Sequence, residues 1–278
     1  MPRIAQTAPR HGATAVELVV ALALTTLLAA LGAAALVAVE RYVRNANASD
    51  AEQRVLREAA AVLEGELRSA LPDSIVVRGD TAADLLVGVG VSVLCVGTPG
   101  AWVLPTDDPN ATTLLTQLRS SPTAGDVAAV FDRAAGWRTT VVDSAQWRTD
   151  GAGCSTVSGF RSVADSLARR RVLALRLRDT LSARHGSPIR LFRRGRYALT
   201  RSADGSWGLS WRSCTATTGC GTAQPVAGPL ASPAEGGLVF RIDSATRTAR
   251  AWIGAPSRNG ISASREAVVA LRTDDRAR

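Results

Sequence analysis

The sequence has no lysine, so all 33 of its basic side chains are arginine, and it has only two histidines and one methionine. An arginine-only complement is typical of a very GC-rich genome, and we attribute no function to it by itself. Beyond the first dozen residues the sole histidine is His185, in the segment SARHGSP. A serine–histidine or cysteine–histidine nucleophile pair would have to use it. Because a lone loop histidine is usually solvated, nucleophilic catalysis is not expected.

The short motifs that bind many cofactors and metals are also missing. The sequence has no GxxxxGK[ST] phosphate loop, no GxSxG turn, no CxxC pair and no zinc spacing with histidine. Gly88 and Gly90 lack the third glycine of a dinucleotide loop and lie in a β-branched run. Asp107, Asp108 and Asn110 could supply oxygens to Ca²⁺, but a polar turn is the favoured interpretation. We therefore expect a protein without enzymatic activity, cofactor or metal.

What the sequence does contain is a long uncharged run. Leu18–Val39 is 22 residues without a charge, which is long enough to cross the hydrocarbon core of a membrane as a helix. Arg3, Arg10 and His11 precede it without an acidic residue, so we expect the N-terminus to be cytoplasmic. Glu17 stands alone at the head of the run, where an ionisable group is costly and indicates a function.

A cut after Gly12 would give Glu17 a partner. Ala13 would become the N-terminus, one helical turn from Glu17, and in a bundle of parallel helices its α-ammonium group could neutralise Glu17 of a neighbouring subunit. Two alternatives compete with this interpretation. A secretory signal peptide has a shorter apolar core, and an ordinary single-pass anchor requires neither Gly12 nor Glu17.

These residues resemble the N-terminus of type IV pilins and pseudopilins, in which a basic leader ends in glycine and a glutamate at mature position five precedes an unbroken apolar helix. The resemblance implies removal of the leader, residues 1–12, by prepilin peptidase, N-methylation of Ala13 and an assembly role for Glu17. The family usually has phenylalanine in the place of Ala13. Loss of the leader removes two arginines and no acid, which lowers the net charge from +9 to +7.

Helical periodicity continues beyond the membrane segment, residues 13–39. Apolar residues recur at three- and four-residue steps in an amphipathic continuation, residues 40–71, with charges on its other face. We expect one helix from about Ala13 to Leu71, ended by Pro72. The apolar stripe on the outer half of this helix needs a partner to bury it.

Residues 72–278 contain short β-rich runs separated by Gly, Pro, Asp and Asn, and we expect them to form a β-rich globular domain outside the cytoplasm. The predicted strands are Ser74–Arg78, Leu85–Val96, Val127–Asp132, Trp137–Val142, Val172–Arg178, Ile189–Arg201, Trp207–Arg212, Leu238–Ile242, Thr248–Ile253 and Ala267–Arg272. Asp204 and Gly205 should turn the clearest hairpin, and a second should turn at Ser244–Arg247. We expect loops or short helices at 105–125 and 143–165.

The predicted fold class is α+β, with a long N-terminal helix packed on an antiparallel β-rich domain, as in pilins. The segments AAAVLEGELRSA, RYALTRSADGSWGLSWRSC and AQPVAGPLASPAEGGLVFRID resemble minor pilins of the PilW type and J-type pseudopilins of type II secretion. This implies a single-pass protein of the bacterial inner membrane with a periplasmic C-terminal domain, exposed on the cell surface if assembled into a pilus. The implied partners are other pilins, the assembly platform and prepilin peptidase. The string GATAVE is also similar to tight-adherence (TadE-like) proteins, an alternative that stays open.

The four cysteines are Cys95, Cys154, Cys214 and Cys220, all beyond the membrane segment, on the side where disulfides persist. Only the polar residues TATTG separate Cys214 from Cys220, so we predict that these two pair and leave Cys95 with Cys154. Four cysteines allow three connectivities, and the sequence alone does not decide between them.

Arginines form two clusters, the first at Arg169, Arg170 and Arg171 and the second at Arg193, Arg194 and Arg196. Some minor pilins bind DNA during uptake, and clustered arginines are the electrostatic footprint that such binding needs. The simpler interpretation is an arginine-rich proteome whose side chains decorate solvated strand faces. We favour the simpler interpretation and do not expect nucleic acid as a partner.

Overall fold

The computed structural model describes residues 14–95, 97, 98, 101–112, 114–132, 135–149, 154, 159–215, 219–257 and 263–271. Gly12 and Ala13, the predicted cleavage and methylation sites, lie outside these residues. Contacts divide the chain between Ala51 and Glu52 into two compact units. Helix α1 (Ala15–Ser69) supplies residues to both units.

Helix α1 is unbroken over 55 residues and ends two residues before the predicted end at Leu71. In its last turn the Ala70 N–H donates to the carbonyl oxygen of Glu66 at 2.9 Å. Pro72 then opens a 3-10 turn that ends at Ser74, because proline cannot donate the next helical hydrogen bond. The amphipathic pattern and the proline stop therefore predicted this element to within the usual uncertainty of a helix end.

Most of the second unit is antiparallel sheet. Its strands in the described residues are β1 (Val76–Arg78), β2 (Ala82–Val93), β3 (Gly97–Thr98), β4 (Ala101–Leu104), β5 (Gln117–Leu118), β6 (Val127–Asp132), β7 (Gly136–Arg148), β8 (Val172–Leu177), β9 (Pro188–Arg201), β10 (Trp207–Thr215), β11 (Gly219–Cys220), β12 (Gln224–Leu230), β13 (Leu238–Asp243), β14 (Thr248–Gly254) and β15 (Ser264–Ala270). A short helix, α2 (Val163–Leu167), precedes β8. Together with α1 these elements give the predicted α+β class.

The strands form two sheets, of twelve and three strands. The main path of the larger sheet has the order β1-β2-β9-β6-β7-β8-β4-β3, and the smaller sheet has the order β13-β14-β15. β9 organises the larger sheet, because one of its edges pairs with β2 from Pro188 to Ala198. Its other edge pairs with β6 and then, from Gly195 onward, with β10.

The predicted β9–β10 hairpin is confirmed, with Arg201 paired to Trp207 across the turn. Gly205 has a φ of 88°, and the Asp204 carboxylate accepts hydrogen bonds from the side chains of Ser202 and Ser206 and from the Ser206 N–H. These hydrogen bonds lower the pKa of Asp204 to about 2. The Asp-Gly pair therefore makes the turn for the reasons that the sequence indicated.

One hydrophobic core, the helix core, forms around the outer half of α1. Leu56, Leu63 and Leu67 of α1 are buried there together with Ala59 and Ala60. The strand side chains that cover them include Leu85, Leu199, Leu209, Leu238, Phe240, Ile253 and Val269. Full burial of each leucine side chain contributes roughly 1.5–3 kcal/mol to the stability of the fold. This confirms that the predicted apolar stripe of α1 is buried by β structure.

A second core, the sheet core, contains no helical residue among the described ones. Its buried members include Val89, Leu104, Val130, Val142, Leu173, Leu175, Ile189 and Leu191. They come from β2, β4, β6, β7, β8 and β9, so the two large cores of the second unit share β2 and β9.

The prediction of loops or short helices at 105–125 and 143–165 was wrong in part. β7 continues to Arg148 because a register shift between Val142 and Ser144 lets it pair with β8 after it has paired with β6. β5 is a two-residue strand on β2. The analysis also missed β4, which is only four residues long, and β12, whose two prolines are tolerated because β12 pairs only with β10 among the described strands.

Candidate functional site

The first candidate site is the apolar segment of α1. Every residue of Leu18–Val39 is exposed, with Leu28 at 67% and Leu36 at 72% exposure. Helix α1 is long and apolar enough to cross a membrane, and none of the 18-residue stretch that meets this condition is buried. A helix so apolar and so uncovered could span a membrane, as the sequence predicted. Just beyond the segment, the carboxylate of Glu40 pairs with the guanidinium of Arg44 at helical spacing.

Glu17 lies in the first turn of α1, where it forms a capping box with Thr14. The Thr14 N–H donates to Glu17 Oε2 at 2.8 Å, and the Glu17 N–H donates to Thr14 Oγ1 at 3.3 Å. The sequence analysis missed this role, although a threonine followed three residues later by glutamate at the start of an apolar run is its usual signature. Oε1 of Glu17 accepts no hydrogen bond from the described residues, so half of the carboxylate is available to a partner.

Both predicted disulfides are present. Cys95 pairs with Cys154 across 59 residues of sequence, and Cys214 pairs with Cys220 across six. The shorter bridge joins directly opposed residues of β10 and β11. Cys95 and Cys154 are buried with Val172 beside the sheet core. All four cysteines are therefore structural in this unit.

In the second arginine cluster, Arg193 forms a bidentate pair with Asp126. Arg193 Nε donates to Oδ1 at 2.9 Å and a terminal nitrogen donates to Oδ2 at 2.8 Å, while the same nitrogen also donates to the carbonyl of Ser121. The Asp126 side chain is 4% exposed. The hydrogen bond with Asp126 raises the pKa of Arg193. This arginine fixes the 121–126 turn against β9.

Arg196 forms a second bidentate pair, with Asp84 directly opposite it on β2. The distances from Arg196 to the two carboxylate oxygens are 2.6 and 3.0 Å. The Arg196 hydrogen bond, together with a weaker contribution from Arg78, lowers the pKa of Asp84. Arg194, between the two pairs, is exposed and has no carboxylate partner among the described residues.

In the first arginine cluster, too, two of the three arginines pair with carboxylates. Arg170 forms ion pairs with Asp108 and with the buried Asp165, where the Nε–Oδ1 distance is 3.0 Å. Arg171 pairs with Asp107 at 3.4 Å and lies over the Trp147 ring.

Arg169 is exposed and has a φ of 49°, which places its backbone in the left-handed region. The Asp108 carboxylate accepts the Asn110 N–H at 2.8 Å, which together with Arg170 lowers the pKa of Asp108. The proposed calcium ligands thus form the polar turn that the sequence analysis favoured.

The lone histidine of the loop, His185, packs on an aromatic ring. Its centroid is 4.6 Å from that of Phe160, and the two planes are inclined by 57°. His185 itself is exposed. Gly186, the next residue, has a φ of 83°, so the loop turns immediately after the histidine.

Comparison with known proteins adds no relative to this description. No family model matches the sequence, and neither the curated proteins nor the solved structures give a match. A functional assignment therefore depends on the residues of this chain.

Proposed function

We propose that this chain is a minor pilin or pseudopilin, a non-enzymatic subunit that is cleaved after Gly12 and assembles with other pilins through its apolar helix. It would be anchored in the bacterial inner membrane, with the β-rich unit in the periplasm, and would serve a type IV pilus or a type II secretion pseudopilus. The observation that carries the proposal is the exposed segment Leu18–Val39 with one carboxylate, Glu17, at its head.

The carboxylate of Glu17 gives the physical reason why this helix would assemble with others. A charged residue at the centre of a membrane helix costs about 2.5 to 3.5 kcal/mol on insertion scales, and less near the interface. A lone helix can leave Glu17 among the headgroups, but neighbouring subunits in a filament hold it at a fixed depth. The α-ammonium group of Ala13 on an adjacent subunit could then pair with the free oxygen of Glu17 and set the register between subunits.

The geometry of the arginines supports this structural role over DNA binding. Of the six arginines in the two clusters, Arg170, Arg171, Arg193 and Arg196 are paired with carboxylates of this chain. A phosphate would have to displace those carboxylates. The other two, Arg169 and Arg194, have no carboxylate partner among the described residues, and two arginines are a small footprint for an electrostatic interface.

Processing gives the first test. Protein isolated from assembled filaments or membranes should begin at Ala13, with or without one methyl group on its amine, when its N-terminal peptide is analysed by mass spectrometry. Recovery of assembled protein that still carries residues 1–12 would contradict the proposal.

The second test separates the charge of Glu17 from its capping role. Glu17→Gln keeps a side chain that can complete the capping box but removes the charge, whereas Thr14→Ala removes the capping hydroxyl and keeps the charge. We expect Glu17→Gln to reduce co-purification with partner pilins about tenfold or more, since 1.4 kcal/mol of pairing energy is a factor of ten in an association constant. Thr14→Ala should assemble nearly as well as the wild type.

Crosslinking in membranes, followed by quantitation of the partner pilins, gives the measurement. Membrane insertion and removal of the leader should be unchanged in both variants. If Glu17→Gln assembles as well as Thr14→Ala, the carboxylate is only a helix cap and the chain is a plain membrane-anchored β domain.

A further inference from the structure

The second unit contains a cavity of about 650 Å³ beside the C-terminal end of α1. Its apolar wall includes Leu67, Leu71, Val91, Leu114, Leu118 and Phe192. Leu114 is 57% exposed and Val91 is 47% exposed, so apolar surface faces an open concavity. This volume lies within the range of small-molecule sites, which are mostly apolar with a few polar groups.

The wall is built by close contact between two strands. β5 lies so near to β2 that a Cβ on Gly90 would come within 2.5 Å of the Gln117 carbonyl oxygen. Gly90 and Leu118 are register partners. A glycine at position 90 therefore lets β5 bring Leu118, and Arg119 directly after it, into the cavity wall.

The charges that line the cavity are unbalanced. Three arginines, Arg68, Arg119 and Arg190, line the cavity together with one acidic residue, Asp107. Two of these charges are compensated by ion pairs. Asp107 pairs with Arg171, and Arg119 pairs with Glu66 at 3.6 Å.

Two guanidinium groups of the cavity wall are left uncompensated. Arg190 lies over the ring of Trp137 at 4.6 Å, and neither Arg190 nor Arg68 has a carboxylate partner in the described chain. The C-terminal carbonyls of α1 offset only about half of one charge. Among the described residues, the charged side chains that line the cavity therefore carry a net positive charge.

We propose that this cavity binds a small apolar molecule that carries one carboxylate. Its apolar body would cover the leucines and Phe192, and the carboxylate would bind Arg68 and Arg190. This site is independent of the assembly role proposed for Glu17, because all of its lining residues belong to the second unit.

The test uses the full-length protein in lipid nanodiscs and a single introduced thiol. All four native cysteines are in disulfides, so Ala270→Cys supplies the one free thiol, at a residue that lines the cavity. Val268→Cys is the matched control, because Val268 is exposed on the same side of β15 but does not line the cavity. The rate of labelling by a sulfonated maleimide is measured with and without naphthoate, and with neutral naphthylmethanol. Decanoate tests whether an aliphatic body is accepted as well as an aromatic one.

Naphthoate at about ten times its dissociation constant should slow labelling of the Ala270→Cys protein about tenfold, as occupancy requires. Labelling of the Val268→Cys protein should not change. Naphthylmethanol should protect the thiol much less than naphthoate does. When Arg68→Gln and Arg190→Gln are introduced into the Ala270→Cys protein, the acid and the alcohol should protect equally. Decanoate should also slow labelling of the Ala270→Cys protein if the pocket accepts an aliphatic body. If naphthoate slows labelling and decanoate does not, the ligand is aromatic.

Three outcomes would overturn the proposal. Equal protection at both thiols would mean that the probe only partitions into the disc. Equal protection by the acid and the alcohol would mean an apolar cavity without anion selectivity. No protection by either carboxylate would mean that the cavity is not a site for this class of ligand.

Discussion

The helix core and the sheet core share β2 and β9, but they are covered in different ways. In the helix core a single amphipathic helix, α1, supplies five buried residues against strands of both sheets. In the sheet core, strand side chains pack on one another, and the disulfide Cys95–Cys154 lies beside them. The comparison shows that a local pattern can specify one core of a unit while the other depends on strand pairings that are distant in sequence.

The largest expected effect tests whether the two cores are one cooperative unit. Leu63→Ala in the helix core and Leu175→Ala in the sheet core should each cost about 2–5 kcal/mol, because both side chains are buried and leave a cavity. Since β2 and β9 run through both cores, both variants should lower the urea midpoint of a single unfolding transition. The measurement is a urea titration monitored by tryptophan fluorescence and by circular dichroism.

Leu167→Ala, at a residue that is 81% exposed, is the control and should change the free energy of unfolding by less than about 0.5 kcal/mol. Two separate transitions, one for each leucine variant, would show that the cores unfold independently.

The disulfides give an effect of similar or smaller size. In the chain-entropy relation, a bridge that closes 59 residues contributes about 4 kcal/mol and one that closes six contributes about 2 kcal/mol. The double variant Cys95→Ala with Cys154→Ala should therefore lose about twice as much unfolding free energy as Cys214→Ala with Cys220→Ala. An equal loss in the two would mean that strain or residual structure, rather than loop length, sets their contribution.

The smallest effect concerns Glu66, a carboxylate beside the helix core. Burial raises the pKa of Glu66, and Arg119 offsets only part of that rise. Its Oε2 is buried and has no hydrogen-bond partner in the described part of the chain. The charged form is thus penalised in the folded state, so the penalty is present above the raised pKa and disappears as the pH falls below the unfolded value near 4.5.

Glu66→Gln should accordingly stabilise the protein by about 1 kcal/mol at pH 7 and by much less at pH 4. Chemical denaturation at the two pH values is the measurement. Glu58→Gln, at an exposed position of the same helix, should be neutral at both. A loss of stability in Glu66→Gln at pH 7 would show that the pair with Arg119 outweighs the cost of burial.

The helix and the main hairpins could be predicted because their causes are local. The stripe of α1 follows the 3.6-residue period, Pro72 ends it, and Asp204 with Gly205 turns the chain. The capping box of Thr14 and Glu17 was equally local, and its signature could have been found.

The partners of the arginines could not be predicted in this way. Asp126 is 67 residues from Arg193, and Asp84 is 112 residues from Arg196. Which carboxylate meets which guanidinium depends on the order of the strands in the sheet, and no local pattern determines that order. For the same reason the sequence predicted the cover of α1 but not the sheet core.

The pairing of β9 also has a mechanical consequence. Its hydrogen bonds with β2 extend from the Ala82–Ala198 pair to the Val93–Pro188 pair, and such bonds lie perpendicular to the strands. A pull along β9 would therefore load the whole ladder in shear, so that its bonds would have to break together and not one after another. Tension applied to the second unit along this direction would therefore be carried by a strand whose side chains belong to both cores.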